Sequence, residues 1–336
     1  MNRKRTRLFL FVMIVILFLS MAITGVESQF THTTYLPLVQ FDQQYRVNPK
    51  NRAESLAFFH ANYLIKNPHP INWNGTHASC DPGSTSPAYQ DAVLQRINYF
   101  RAMAGVPAQV TFSDELNLKA QAAALLMSVN GASSHNPPET WVCYSEQAHE
   151  GASNSNLYLG IYGWDSITSY IKDPGEGNYA VGHRRWILYP QTKMMGTGDV
   201  PPISGYDGSN ALWVFDEHRR DPRPATRDGF VSWPPPGYVP YPVVFARWSF
   251  SYPDADFNGA TVRMTQGGNP VSIVQMPVVS GAGENTIVWQ ITAMNSLENW
   301  PPPTQDTRYT VQITNVIIDG QCQDFNYDVI VFDPDK

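Results

Sequence analysis

The stretch SPAYQDAVLQRINYFRAMAG at residues 86–105 decides the fold of the first half of the chain. Ser86 has the side chain of a helix N-cap, Pro87 suits the first helical position, and Gly105 suits the left-handed residue that ends a helix. Between them, apolar side chains recur every three or four residues, which is the period of one helix face. The pattern therefore predicts a helix over residues 87–104.

Further elements follow on either side of this stretch. An Ala- and Leu-rich run predicts a second helix over residues 114–130, and a shorter third helix fits residues 163–171. Strands are predicted at residues 186–189 and 211–215, where apolar and β-branched residues are concentrated. Helices followed by strands within one segment indicate an α+β fold built in layers.

The last third of the chain has a different texture. Six short runs of alternating apolar residues, separated by turn residues, lie between residues 243 and 336. Runs of this length and spacing predict an all-β antiparallel sandwich of the immunoglobulin or fibronectin type. The Pro-rich segment 216–242 is interpreted as a linker before it.

Composition and charge exclude several classes of protein. The chain has 336 residues with 43% hydrophobic and 15% charged residues, and its formal net charge is -6. A disordered chain would carry more charge, and a duplex-binding protein would need an excess of Lys and Arg to displace phosphate counterions. We therefore expect a globular protein of about two domains that does not bind nucleic acid.

The first residues have the plan of a secretory leader. Basic residues precede an apolar run over residues 8–23, which is shorter than the roughly 20 residues that span a bilayer. Val26 and Ser28 suit the positions before a cleavage site, so residues 1–28 are predicted to be a signal peptide, with an uncleaved membrane anchor as the alternative. Either way the body is exported, as a secreted protein or one tethered to the outer face of the cell membrane. Residues 29–85 are interpreted as an extended spacer with a short helix.

Three cysteines agree with an oxidising compartment but are too few for a disulfide scaffold. We predict a disulfide between Cys80 and Cys143, which flank the same domain; three free buried thiols are the alternative. None of the three, Cys322 included, has the spacing of a zinc site.

Two of the eight histidines stand out because each lies beside a predicted element. His135 follows the second helix, and His183 precedes the strand predicted at residue 186. Imidazole is the commonest metal ligand, so two such histidines around one cleft would suit zinc or another divalent metal. A catalytic zinc needs a third protein ligand, for which Glu150, Asp173 and Glu176 are the nearby choices.

Residues 89–199 resemble the CAP superfamily of cysteine-rich secretory, antigen 5 and pathogenesis-related proteins, in its bacterial extracellular form. The similarity rests on the order and spacing of short segments. These are Ile97-Asn98-Tyr99-Phe100-Arg101, Ser134-His135, Ser155-Asn156-Leu157, Gly182-His183-Arg184-Arg185-Trp186-Ile187-Leu188 and Gly196-Thr197-Gly198.

The resemblance implies a three-layer α-β-α sandwich over residues 86–215, with a cleft lined by two histidines and two acidic residues. The histidines carry over to His135 and His183. Ser155 stands where the family usually has Glu, and the second acidic residue corresponds at best to Asp165 or Asp173. Glu150 is a possible substitute from upstream. Two imidazoles and a hydroxyl hold a dication poorly, so this departure weakens zinc binding.

These observations favour a binding protein over an enzyme. The leading hypothesis is a secreted or surface-tethered CAP-type protein that holds a small or lipidic ligand, or a divalent metal, in the cleft of His135 and His183. One alternative is a metal-assisted hydrolase of peptides or cell-wall material, with Glu150 or Asp173 as general base. Another is an adhesin with a vestigial cleft, whose β-module binds a cell-surface component.

Overall fold

The computed structural model of the protein describes residues 45–64, 69–203 and 205–336. The predicted leader and the predicted spacer up to residue 44 lie outside the described residues. Within the described ranges, no helix combines the length and the apolar character needed to cross a membrane.

The four predicted helices of the first half begin and end close to where the sequence predicts them, whereas the helices Glu146–Ser153 and Gly182–Ile187 were not predicted. In the second of the four, the Ser86 side chain accepts from the Tyr89 backbone N–H, and Gly105 ends the helix at φ 76°. The helices of the described residues are α1 (Arg52–Asn62), α2 (Pro87–Ala104), α3 (Asp114–Asn130), α4 (Glu146–Ser153), α5 (Trp164–Lys172) and α6 (Gly182–Ile187).

A four-stranded sheet lies between these helices, in the order β1-β3-β4-β2. Neighbouring residues of one strand point to opposite faces of a sheet. Ala211 accordingly packs in a cluster with residues of α3, whereas Leu212 packs in a cluster with residues of α2 and α5. This gives the α-β-α layering that the resemblance implies. The strands are β1 (Thr111–Phe112), β2 (Ser155–Leu159), β3 (Met194–Val200) and β4 (Ser209–Trp213).

One predicted strand is wrong. Residues 182–187 form helix α6 and the chain at residues 186–189 is not extended in a sheet. The run Trp186-Ile187-Leu188-Tyr189 is apolar throughout, and so short a run cannot distinguish a strand from a buried helix end. The strand predicted at residues 211–215 is confirmed as β4.

The second half contains two packed sheets, with the orders β10-β11-β7-β5 and β6-β13-β12-β8-β9. All pairs are antiparallel except β6 with β13, which is parallel. All six predicted runs contain strands. The strands are β5 (Val231–Trp233), β6 (Gly237–Pro240), β7 (Arg247–Ser251), β8 (Thr261–Gln266), β9 (Asn269–Pro270), β10 (Ile273–Gln275), β11 (Thr286–Ile291), β12 (Thr307–Ile318) and β13 (Gln321–Phe332).

The predicted linker at residues 216–242 instead contributes a strand to each of these sheets. Its run of three prolines, residues 234–236, lies between β5 and β6, where the chain passes from one sheet to the other. Trp233 is completely buried and its indole N–H donates to the Val243 carbonyl. The Pro-rich composition therefore marks a turn inside the β-module rather than a solvated connection.

The disulfide prediction is confirmed. Cys80 and Cys143 are bonded, with their Cα atoms 5.1 Å apart, and Cys322 is free and exposed. The short helix predicted within residues 29–85 is also present as α1, which packs on both halves of the molecule. Its Ser55 hydroxyl donates to the Tyr238 carbonyl of β6, and its Phe58 ring stacks on Tyr99 of α2.

Candidate functional site: a two-histidine cleft

His135 and His183 line one open cavity of about 350 Å³. His135 lies in the loop after α3 and His183 lies in α6, so the three-layer fold brings together residues that are far apart in sequence. Ser155 at the start of β2 lines the same cavity. The remaining lining residues are Ser153, Asn156, Gly177, Asn178, Ala180, Gly182, Arg185, Trp186, Val214, Phe215, Val279 and Ala282.

His183 is held at three points. Its ring Nδ1 lies 2.8 Å from Asp173 Oδ1, and its backbone N–H donates to Asp173 Oδ2 at 3.0 Å. Asn156 of β2 donates from its amide to the His183 carbonyl at 3.1 Å. Asp173 ends helix α5 in the left-handed conformation, with φ 52°, and its side chain is completely buried. The end of α5 therefore fixes the orientation of the His183 ring.

His135 is fixed by a backbone carbonyl instead. Its Nδ1 lies 3.0 Å from the Ala152 carbonyl oxygen near the end of α4. The Ser153 hydroxyl donates to the His135 carbonyl at 3.0 Å, which ties the loop to the same helix. His135 is exposed, whereas the side chain of His183 is 23% exposed, so His135 lies at the mouth of the cavity.

These contacts decide the tautomer of both rings. A carbonyl or carboxylate oxygen only accepts a hydrogen bond, so Nδ1 carries the proton in His135 and in His183. In the neutral ring, Nε2 is then an acceptor. Neither Nε2 has a hydrogen-bond partner in the part of the chain that the structure describes. The cavity thus presents two oriented acceptors to whatever enters it.

The rest of the wall is a hydroxyl and an apolar surface. Ser155 is 4% exposed, and its buried Oγ has no hydrogen-bond partner among the described residues. Trp186 packs edge-on against Phe215, with 4.5 Å between the ring centroids. Val214 continues this apolar part of the wall. The cavity wall therefore combines two histidines and a hydroxyl with an apolar surface.

The two predicted acidic members of the site lie elsewhere. Glu150 pairs with Lys119 of α3 at 2.9 Å, its side chain is half exposed, and it does not line the cavity. Glu150 lies on the side of α4 that faces α3, so its side chain does not reach the cleft. Asp173 touches the site only through His183, because both its oxygens accept from that residue. Neither is therefore placed to act as a general base on a ligand in the cavity.

The donor set does not fit a resident metal ion. Among the described residues, no three His, Cys, Asp or Glu side chains come close enough together to hold one. The cavity wall offers two imidazole nitrogens and the Ser155 hydroxyl, without a carboxylate. A zinc site normally has at least three protein ligands from Cys, His, Asp or Glu, so this wall lacks one.

Sequence reasoning missed the residues that hold the histidines and those that close the cleft. Asn156 lies in the quoted Ser155-Asn156-Leu157 segment. A buried side-chain amide in a strand normally has a hydrogen-bond partner, which here is the His183 carbonyl. Val279 and Ala282 belong to the β-module and follow His183 by about 100 residues. No local pattern connects them to the cleft, because their contact arises from the packing of the two halves.

Comparison with known proteins agrees with this geometry. Residues 94–216 match the model of the family described as "CAP: Cysteine-rich secretory protein family". No curated protein matches the sequence. Among solved structures, PcoC, a methionine-rich copper resistance protein from Escherichia coli, is 19% identical over 30% of this chain and 92% of its own, with a TM-score of 0.23. The selenomethionine form of PcoC is 17% identical over 30% and 94%, also at 0.23. TM-scores this low do not bear on fold or function.

A three-layer α-β-α sandwich with a two-histidine cleft defines a CAP-type domain. The family match and the fold together confirm the resemblance: this chain carries a CAP domain, followed by a β-sandwich module. The match begins inside α2 and ends just after β4. It therefore includes both histidines and excludes the β-module.

We expect Asp173→Asn to release His183. The amide has one acceptor oxygen where the carboxylate has two, so either the ring Nδ1 or the backbone N–H of His183 loses its partner. Hydrogen bonds to a charged group contribute about 1.5 to 3 kcal/mol, so the free energy of unfolding should fall by about 2 kcal/mol.

The imidazole nitrogen NMR signals test this role directly. We expect His183 to change from the pure Nδ1–H tautomer to a mixture in Asp173→Asn. His135 is the control in the same spectrum, because its acceptor is the untouched Ala152 carbonyl. An unchanged His183 tautomer would contradict a positioning role for Asp173.

Proposed function

We propose that the cleft binds a small amphiphilic ligand with a hydroxyl head and an apolar tail. The observation that carries this proposal is the pair of Nε2 acceptors, which Asp173 and the Ala152 carbonyl orient and which have no hydrogen-bond partner among the described residues. The same cavity wall also includes the apolar side chains of Trp186, Val214 and Phe215. The volume of about 350 Å³ lies at the lower end of the range for small-molecule sites.

The chemistry of the two histidines and Ser155 favours a hydroxyl over a carboxylate. A hydroxyl donates its proton to an imidazole Nε2 and accepts from a second donor such as the Ser155 O–H. A carboxylate has no proton to donate, and the buried Asp173 carboxylate behind His183 repels it. The missing carboxylate in the wall argues in the same way against a tightly bound divalent metal.

Calorimetric titration with 1-alkanols tests the proposal, with n-alkanoates of the same chain length in parallel. We expect the alkanols to bind more tightly. The double variant His135→Ala, His183→Ala should lose about fivefold in alkanol affinity, because one hydrogen bond contributes about 1 kcal/mol. Its alkanoate affinity should not fall.

Two controls accompany this titration. His69→Ala removes an exposed histidine outside the cavity and should leave both affinities unchanged. Zinc titrated into the wild type and into the double variant should give the same weak curve. Equal alkanol binding by the wild type and the double variant would overturn the hydroxyl proposal, and tight zinc binding lost in the double variant would replace it with a metal site.

We also propose that the protein works outside the cytoplasm, either secreted or tethered to the outer face of the cell membrane. The sequence of residues 1–28 has the plan of a leader, and the Cys80–Cys143 disulfide is of the kind that persists in oxidising compartments. N-terminal sequencing of the protein from the culture medium checks this: we expect it to begin at residue 29. Recovery from the cytosol with residues 1–28 intact would contradict it.

A further inference from the structure

We propose that the β-module closes the cleft of the CAP domain and determines how long a ligand it admits. The segment concerned is residues 279–284, here called the strap, which lies between β10 and β11. Two of its residues, Val279 and Ala282, line the same cavity as the two histidines. This inference rests on the function proposed above and concerns the apolar tail of the ligand.

Arg185 of the CAP domain holds both ends of the strap. Its Nη1 donates to the Val279 carbonyl at 2.9 Å and its Nη2 donates to the Glu284 carbonyl at 3.0 Å. Arg185 is 5% exposed, so both hydrogen bonds are shielded from water. One guanidinium thus binds the first and last residues of the strap and holds the strap against α6.

Two further contacts fix the strap in the same place. The Glu284 carboxylate, 5% exposed, pairs with the Arg223 guanidinium from the segment before β5. Gly283, at φ 58°, lies so close to α6 that an added Cβ would be 2.9 Å from the Arg185 carbonyl oxygen. These contacts are specific and buried, which distinguishes the strap from a loop that happens to lie nearby.

The strap contributes apolar residues to the cavity wall. Val279 and Ala282 have no polar side-chain atoms, and they join Trp186, Val214 and Phe215 as the apolar part of the wall. The histidines therefore select the head of the ligand, while the strap limits its tail. Arg185 acts as a positioning residue for the strap, because both its terminal nitrogens are used by strap carbonyls.

The chain-length dependence of alkanol affinity tests this role. Each methylene that enters an apolar site should raise the affinity about fourfold. This gain should stop at the chain length whose tail reaches the strap, and that chain length is here called the break. Val279→Ala should move the break to longer alkanols, and Ala282→Leu should move it to shorter ones. Val278→Ala is the matched control, since Val278 is 37% exposed and does not line the cavity.

An engineered disulfide tests the placement of the strap without any ligand. A Cβ built on Gly182 of α6 would lie 4.0 Å from the Ala282 Cβ, a separation that suits a disulfide. The full-length double variant Gly182→Cys, Ala282→Cys should therefore form this bond on air oxidation, as detected by peptide mass mapping. The cross-linked protein should also protect His183 from diethyl pyrocarbonate, relative to wild type.

The outcomes separate this inference from the proposed function. A break that shifts in opposite directions in the two cavity variants, with the Val278→Ala control unchanged, supports the inference. An unmoved break in both, or failure of the disulfide to form, overturns it. If the wild type binds no alkanol of any length, the hydroxyl proposal fails, and His183 modification then decides on the strap: slower reaction after cross-linking supports closure, and an equal rate overturns it.

Discussion

Replacing Arg184 with Met is expected to lower the free energy of unfolding by about 4 kcal/mol, because several buried acceptors lose their donors at once. Arg184 of α6 is 1% exposed. Its Nε donates to the Ile171 carbonyl of α5 at 2.6 Å, and its terminal nitrogens donate to Ser249 Oγ and the Arg247 carbonyl of β7, each at 3.0 Å. Met fills much of the same volume but donates nothing.

The position of these acceptors makes Arg184 a link between the two halves. Ile171 belongs to the CAP domain, whereas Arg247 and Ser249 belong to the β-module. Arg247 returns the contact, since its Nη1 donates to the Asp173 carbonyl at 2.9 Å. The loss of Arg184 should therefore loosen the same interface that carries the strap and that supports Asp173 behind His183.

Urea denaturation followed by tryptophan fluorescence measures this effect. Arg220→Met is the matched control, because Arg220 is exposed; it should stay within about 0.5 kcal/mol of wild type. We expect the urea midpoint of Arg184→Met to lie well below the midpoints of wild type and of Arg220→Met. A midpoint equal to that of the control would mean that the buried guanidinium contributes no net stability.

The helices of the CAP domain could be predicted because their signals are local. In α2, the cap, the proline and the terminal glycine all lie within the helix or next to it, and the structure places each in the predicted role. Helix α3 differs in one detail. Ser113 is the N-cap residue of α3 by position, but its side chain makes no capping hydrogen bond. The Ala- and Leu-rich composition thus located this helix without a capping contact.

The site could be predicted only in part, for a physical reason. His135 lies in the loop after α3, whose ends have local signals, whereas His183 lies in the first turn of α6, a helix whose end the local pattern predicts to be a strand instead. The family resemblance adds the proximity of the two histidines. The directions of Asp173 and Glu150 depend on tertiary packing: Asp173 turns back on His183 from a left-handed helix end, and Glu150 faces Lys119. The position of the strap depends on contacts between residues that are distant in sequence, and the periodicity of apolar residues does not reveal such contacts.

Asp199 carries the second large prediction, which concerns pH. This residue of β3 is completely buried between the sheet and the helices. Burial raises the pKa of the Asp199 carboxyl to about 6, and hydrogen bonds from the Gly163 N–H, the Asn210 amide and the Thr197 hydroxyl limit the rise. Tyr89 of α2 and Tyr170 of α5 face it, and burial raises the pKa of both phenols well above the ordinary value, so they stay neutral near pH 6.

The direction of the pH effect follows from the raised pKa. The unfolded chain releases the Asp199 proton near the ordinary pKa of about 3.9, whereas the folded protein retains it up to about pH 6. Folding is therefore favoured most below pH 4, and this contribution is lost as the pH rises through 6. The difference of about two pKa units corresponds to about 3 kcal/mol, at about 1.4 kcal/mol for each unit.

Asp199→Asn should remove this penalty above pH 6, because the amide stays neutral and its oxygen still accepts from Gly163 and Asn210. The free energy of unfolding of the variant minus that of wild type should rise by about 3 kcal/mol between pH 4 and pH 7, then remain constant. This difference in free energy of unfolding isolates Asp199, because the other titratable groups contribute equally in both proteins and cancel. Asp319→Asn, at an exposed turn residue between β12 and β13, should give no such rise. Parallel stability profiles for wild type and Asp199→Asn would show that the Asp199 carboxyl titrates alike in the folded and unfolded chain, and would contradict the raised pKa.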